Sequence, residues 1–291
     1  MKDISVKALA KINLGLDVVR KREDGYHEVR MVMQTIHLFD RLEISKNTSG
    51  EITMETNLSF LPTNENNLVY KAAKLLQDEF AIKDGVHVWL HKYIPVAAGM
   101  AGGSTDAAAV LYGMNQIFDL GLTREELMER GVKIGADVPY CIMRGTALAE
   151  GIGEKLSKLP PMVKCPVLIA KPQISVSTKF VYENLKLGSD MVHPDIDRLV
   201  ADIREKDLYK IAADMGNVLE TVTIPAYHVI ADIKDHMMEH GAVNAMMSGS
   251  GPTVFGLFDK EATAVEAYEA MKASGLAKQV YLTSIYNNAR K

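Results

Sequence analysis

Residues 95–103, Pro-Val-Ala-Ala-Gly-Met-Ala-Gly-Gly, constrain this chain more than any other segment. They follow a run that alternates as a strand (85–93, with Val86, Val88 and Leu90 on one side). They lead through Ser104-Thr105-Asp106 into a helical pattern with Ala107, Val110, Leu111, Met114 and Phe118 on one face. Glycine lets a backbone approach an anion closely, and a helix start adds inward N–H groups and partial positive charge. The segment therefore reads as a phosphate cradle, with Ser104 and Thr105 placed to bond phosphate oxygens or Mg2+. It reads equally as a tight strand-to-helix turn with a Ser or Thr cap. The commoner nucleotide signatures are missing: no GxxxxGK[ST], no HRD or DFG triplet, and no GxGxxG after a strand.

A second cluster, Ser248-Gly249-Ser250-Gly251-Pro252, joins strand patterns at 242–247 and 253–258. It is a hairpin connection, or a second wall of a phosphate pocket. Further strands are expected over 4–19, over 29–45 (one or two, broken near Asp40), over 166–171 and over 278–285. Helices are expected over 66–80, several within 178–240, and over 260–273. Thr123 and Glu126 have capping-box spacing, with Gly131 where that helix would stop. A soft boundary near Pro160-Pro161 divides the chain into 1–161 and 162–291.

Hydrophobic residues at 47% and charged residues at 24% are globular values for a chain of 291 residues. A formal net charge of -4 argues against a dominant nucleic-acid role. Cys141 and Cys165 have no metal-ligand or disulfide pattern. No window approaches the ~18–20 apolar residues of a membrane helix, and the N-terminus lacks a signal-peptide core. A soluble cytoplasmic protein is expected, with no membrane and no nucleic acid as partner. Oligomeric state has no signal in the sequence. His236-Met-Met-Glu239-His240 fits the HxxEH string of some zinc peptidases. Gly241 follows at once, so both histidines are expected at a helix C-terminus, where they suit the dipole, and no metal site is expected.

Three segments together resemble the GHMP kinases: Ala10-Lys11-Ile12-Asn13-Leu14, then Pro95 through Gly99, Met100, Ala101, Gly102, Gly103, Ser104 and Thr105 to Ala108, then Met247 to Thr253. Their order matches and the resemblance spans nearly the whole chain. Asp24-Gly25-Tyr26-His27, Gly135-Ala136-Asp137-Val138-Pro139 and Ala149-Glu150-Gly151-Ile152-Gly153 resemble the branch whose substrate is a cytidine-diphosphate derivative of methylerythritol, on the non-mevalonate isoprenoid route. Ala97, Ala98 and Ala101 stand where many relatives have glycine or leucine. Alanine keeps a close approach open provided φ is negative there.

The resemblance implies an α+β, two-domain fold: a ribosomal-S5-like N-terminal domain and an α+β C-terminal domain. It implies phosphoryl transfer from ATP to an alcohol, with Mg2+ bound mainly through the ATP phosphates. It implies Asp137 as the base, with Lys11 stabilising that carboxylate and the developing charge. Asn13, Tyr26, His27 and Tyr182 are implied to bind substrate, the last three around cytosine. Asn67 and Lys92 join the loop 95–105 on ATP, and Ser248, Gly249, Ser250 and Gly251 form the third motif. From the residues alone, Asp137 could cap a turn, Lys11 could be a surface lysine and Asn67 a helix cap. The alternatives are another GHMP kinase of homoserine or mevalonate type and, remotely, an RNA-binding module.

Overall fold

The computed structural model describes residues 3–188 and 191–288. The chain forms two compact units, each drawn from separate stretches. One takes the chain up to Ala10, then Phe39–Val96 and Ala101–Met143; the other takes Lys11–Leu38, Ala97–Met100 and the chain from Arg144 onward. In chain order the elements are β1 (Ile4–Lys21), β2 (His27–Asn47), β3 (Ile52–Thr56), α1 (Leu68–Glu79), β4 (Gly85–His91), α2 (Gly102–Ile117), α3 (Arg124–Val132) and α4 (Val138–Met143). Then come β5 (Thr146–Glu150), β6 (Lys155–Lys158), β7 (Pro166–Lys171), α5 (Thr178–Asn184), α6 (Ile196–Glu205), α7 (Leu208–Ala213), β8 (Gly216–Asn217) and α8 (Glu220–Ala226). The chain closes with α9 (Val229–Glu239), β9 (Asn244–Met247), β10 (Val254–Leu257), α10 (Glu261–Ser274) and β11 (Gln279–Ser284). No described helix is long and apolar enough to cross a membrane.

One sheet has the order β3-β4-β2-β1-β8, with β5 beside β2 and β6 beside β5; the other has the order β11-β7-β10-β9. In the first unit, β4 runs antiparallel to the second half of β2, from Arg41 opposite His91 to Asn47 opposite Gly85. Strand alternation sends Val86, Val88 and Leu90 into its core. In the second unit, the first half of β2 pairs with β5, and β1 pairs with β8 at Gly15 and Leu16. The four-stranded sheet there is antiparallel and is packed by α9 and α10.

Most elements follow the pattern of their residues. Asn67 caps α1 by accepting from Val69 N, and Thr123 and Glu126 complete the capping box of α3. Short strands β3, β5, β6 and β8 have too little alternation to stand out. The expected break near Asp40 does not occur. β2 continues through it because the buried Asp40 carboxylate accepts from the backbone N–H groups of Tyr93 (2.5 Å) and Ile94 (2.8 Å) and from the Lys92 ammonium.

Two further expectations are corrected at α2. The helix begins at Gly102, so Ser104, Thr105 and Asp106 lie inside its first turns. Two of the three alanines, unlike Ala98, are not at negative φ: Ala97 stands at φ 51° and Ala101 at φ 55°, both left-handed. Each such alanine costs about 1–2 kcal/mol, because its Cβ crowds the following carbonyl. Replacing Ala101 by glycine should therefore raise stability by about 0.5–1 kcal/mol, after the added freedom of the unfolded chain is subtracted. The measurement is the urea midpoint at unchanged slope. A lower midpoint for Ala101→Gly would mean that the methyl's packing outweighs the strain.

Candidate active site

Three segments far apart in the sequence meet within the second unit. β1 carries Lys11 and Asn13 two residues apart, hence on one face of the strand. The Lys11 ammonium donates to Asn13 Oδ1 at 2.7 Å and to Gly99 O at 2.9 Å, and Lys11 N donates to Met100 O at 3.3 Å. At 5% exposure Lys11 is not a surface lysine. Ser248 Oγ donates to the same Gly99 carbonyl at 3.0 Å. Gly99 lies at φ +70°, and a Cβ on it would stand 2.0 Å from Ser248 O, so no other residue fits. A Cβ on Gly249 would lie 3.3 Å from Gly99 Cα.

The Ser248–Gly251 turn is held by a residue that the sequence reading passed over. Asn217, buried in β8, donates from Nδ2 to Met247 O and Gly249 O, both at 2.8 Å, and accepts at Oδ1 from Leu219 N. Gly251 N donates to Ser248 O, and Ser250 Oγ lies 2.9 Å from Thr178 Oγ1. The fully buried Asn13 turns its amide toward Met31 Sδ at 3.6 Å, a weak acceptor.

The hairpin between β1 and β2 is an Asx turn. Asp24 Oδ1 accepts from Tyr26 N at 3.1 Å, Gly25 supplies φ +86°, and Arg22 pairs with Asp24 at 2.7 Å. It leaves Tyr26 61% exposed and brings the His27 ring to 5.1 Å from the Tyr182 ring. Burial, with the charge of Lys21, pushes the His27 imidazole below its ordinary value. At neutral pH it is uncharged and offers one donor and one acceptor.

In the first unit, Pro95 is buried and the loop runs into an open helix end. Ala101 provides no side-chain cap to α2, and the first bond within the helix is Thr105 N to Ala101 O. The N–H groups of Gly102, Gly103 and Ser104 thus have no partner within the helix, which suits an anion. Of the two hydroxyls expected at a phosphate, Thr105 is buried and donates to Leu9 O at 2.8 Å, while Ser104 stays partly exposed. Asn67 accepts from Val69 N and donates to Pro62 O, so one end of its amide caps α1 and the other holds the preceding loop.

Lys92 is not presented to a ligand. Its ammonium is enclosed by Asp40 and by Asp106 Oδ2, the latter at 2.8 Å, with 4% of the side chain exposed. Burial alone would lower its pKa, but Asp106 and Asp40 hold it above the ordinary lysine value. Burial drives the Asp106 carboxyl well above the ordinary range, against the pull of Lys92 and with the push of Asp40. Asp106 Oδ1 is buried without a hydrogen-bond partner. A Cβ on Gly102 would lie 3.2 Å from Lys92 Nζ, so this triad braces the base of the loop. Asp137 stands one residue before α4, and its carbonyl accepts from Cys141 N at 3.1 Å.

The raised Asp106 carboxyl keeps its proton in the folded chain where the unfolded chain has released it. Its contribution to stability is whole below the unfolded value, about 3.9, and is lost as pH rises through the folded value. Asp106→Asn should abolish that part of the pH slope at small cost. Asp40→Asn, which weakens the acceptor of two backbone N–H groups and of Lys92, should cost about 3–5 kcal/mol. Urea unfolding of both variants at about pH 5 and about pH 8 tests this; equal losses, or an unchanged slope in Asp106→Asn, would refute the assignment.

Comparison with known proteins agrees with this geometry. The family model described as the GHMP kinases N-terminal domain matches residues 67–145, and the GHMP kinases C-terminal model matches residues 199–277. The 4-diphosphocytidyl-2-C-methyl-D-erythritol kinase of Lachnospira eligens is 57% identical over 286 residues, which is 98% of this chain and 99% of that protein. The enzyme of the same name from Acetivibrio thermocellus is 51% identical over 274 residues, or 94% of this chain and 96% of its own length. A crystal structure of 4-(cytidine 5'-diphospho)-2C-methyl-D-erythritol kinase is similar at TM-score 0.85 and 29% identity, over 98% of this chain and 100% of that one. A homoserine kinase from Cytophaga hutchinsonii shares the fold at TM-score 0.80 and 20% identity, over 99% and 96%. With its three motifs in order and near-complete overlap with these relatives, the chain belongs to the GHMP kinases and, within them, to the family of 4-diphosphocytidyl-2-C-methyl-D-erythritol kinases.

Proposed function

We propose that this chain transfers the terminal phosphoryl group of ATP to the 2-hydroxyl of 4-diphosphocytidyl-2-C-methyl-D-erythritol, in the cytoplasm, on the non-mevalonate route to isoprenoid precursors. The observation that carries the reading is the convergence of Lys11, Asn13, Gly99 and Ser248 through hydrogen bonds of 2.7–3.0 Å. Those bonds hold a glycine loop in one shape ahead of an uncapped helix start. Phosphoryl transfer asks a protein chiefly for positioning and for stabilised charge, and these residues supply both.

ATP fits the loop by the open N–H groups of Gly102, Gly103 and Ser104, with Asn67 beside the adenine. Mg2+ would neutralise phosphate charge. The carboxylates near the loop base, Asp40 and Asp106, already face Lys92, which supports a cation carried mainly by the phosphates themselves. Asp137 is proposed to accept the proton of the tertiary alcohol, and Lys11 to stabilise developing negative charge. His27 and Tyr182 would grip cytosine, the neutral imidazole matching a neutral base edge.

The test is ³¹P NMR of the protein with Mg-ATP and 4-diphosphocytidyl-2-C-methyl-D-erythritol, with homoserine and mevalonate in parallel. A phosphomonoester resonance with the cytidine substrate alone is expected. Transfer only to a parallel acceptor would leave a GHMP kinase of another specificity. Asp137→Asn should bind both substrates and lose about 10²–10⁴-fold in kcat. Turnover near the wild-type rate in that variant would remove Asp137 as base. His27→Ala should raise KM for the cytidine substrate far more than for ATP; an equal rise in both would remove His27 from the cytosine site.

A further inference from the structure

We propose that the last turn of α9 carries a transition-metal site made by His236, Glu239 and His240. At spacings of three and four residues, all three side chains share one face of the helix. One ligand atom from each lies within 4.8 Å of the others, and the two imidazole rings are 4.2 Å apart.

Dipole complementarity at a helix C-terminus accounts for histidines there, but it leaves three features unexplained. First, His236 Nε2 is a buried atom with no hydrogen-bond partner, where a buried ring nitrogen ordinarily finds one. Second, His240 Nδ1 lies 2.8 Å from His236 O. A carbonyl only accepts, so Nδ1 is the donor and Nε2 is the nitrogen that this bond does not use. Metal-ligating histidines are commonly oriented in this way. Third, Glu239 is the last residue of α9, where a carboxylate opposes the negative end of the helix dipole. A dication would remove that conflict and give His236 Nε2 a partner.

Two imidazoles and one carboxylate select a borderline dication such as Zn2+, with Ni2+ and Cu2+ as competitors in the order of their general affinities. Mg2+, which demands an oxygen octahedron, is excluded by this donor set. Three protein ligands leave a position for water. α9 packs on β9 and β10, the strands joined by the Ser248–Gly251 turn, so a metal clipped across its last turn would brace that hairpin.

The test uses the full chain without a histidine tag, stripped with EDTA, desalted and then reloaded with a slight excess of Zn2+. Zinc content is measured after gel filtration, and affinity by Co2+ absorption with Zn2+ competition. Wild type should retain one zinc per chain, resist displacement by millimolar Mg2+, and show a zinc-dependent rise in Tm. The double variant H236A/H240A should lose both the zinc and the Tm rise while keeping its far-UV circular dichroism and its kinase activity. Glu239→Gln, with both imidazoles kept, should weaken binding by at least the ~10–100-fold typical of losing a supporting group. Zinc retained equally by the double variant, or no zinc retained by wild type, would overturn the proposal. These readouts do not depend on the kinase reaction.

Discussion

The site depends on how closely the backbone of Gly99 approaches that of Ser248. A side chain on Gly99 would stand 2.0 Å from a carbonyl oxygen, so the approach exists only because the residue is glycine and left-handed. Two residues to either side of it, Ala97 and Ala101 are also left-handed. Together these two alanines cost about 2–4 kcal/mol. The Lys11 bond to Gly99 O, a hydrogen bond from a charged donor, contributes about 1.5–3 kcal/mol, and that from Ser248 about 1 kcal/mol. The two sums are comparable, which explains how alanine persists in a conformation it normally avoids.

The other end of the loop is set by electrostatics. Lys92, Asp40 and Asp106 are all buried, and one ammonium faces two carboxylates. Coulomb attraction inside a protein offsets desolvation only when each ion is well solvated by its neighbours. Asp40 meets that condition, with two backbone N–H donors besides Lys92. Asp106 does not, since one of its oxygens has no partner. Burial raises the Asp106 carboxyl well above its ordinary value, which puts a titrating group in the early turns of the helix that opens the loop.

What the sequence made legible was local. Glycine and serine clusters, the capping box at Thr123 and Glu126, and the alternation of 85–91 each rest on a few adjacent residues, and each has its counterpart in the structure. Asp40 and Asn217 act through partners dozens of residues away, and nothing beside them in the chain announces it. A signal for Asp40 existed in parity. It shares the inward face of β2 with Leu42 and Ile44, and a carboxylate on a core-facing position must have a partner. Reading it as a strand break assigned its polarity to solvent. The left-handed alanines were illegible for a different reason, because residue type alone favours negative φ.

Specificity has to be argued away from the loop. The homoserine kinase from Cytophaga hutchinsonii shares this fold at 20% identity, so the sheets and helices by themselves do not choose a substrate. The β1–β2 hairpin is the feature to which the proposed function assigns that task. Its Asx turn is fixed by Asp24 and Gly25, and it sets one imidazole against one phenol ring at 5.1 Å. Partial burial lowers the pKa of that imidazole, and in its neutral form the ring supplies a donor and an acceptor together. Under the proposed function, an acceptor without a base would forgo the pairing that such a ring offers. The Gly99–Ser248 approach and the β1–β2 hairpin are thus separate features of one unit, the first fixed by backbone packing and the second by an Asx turn.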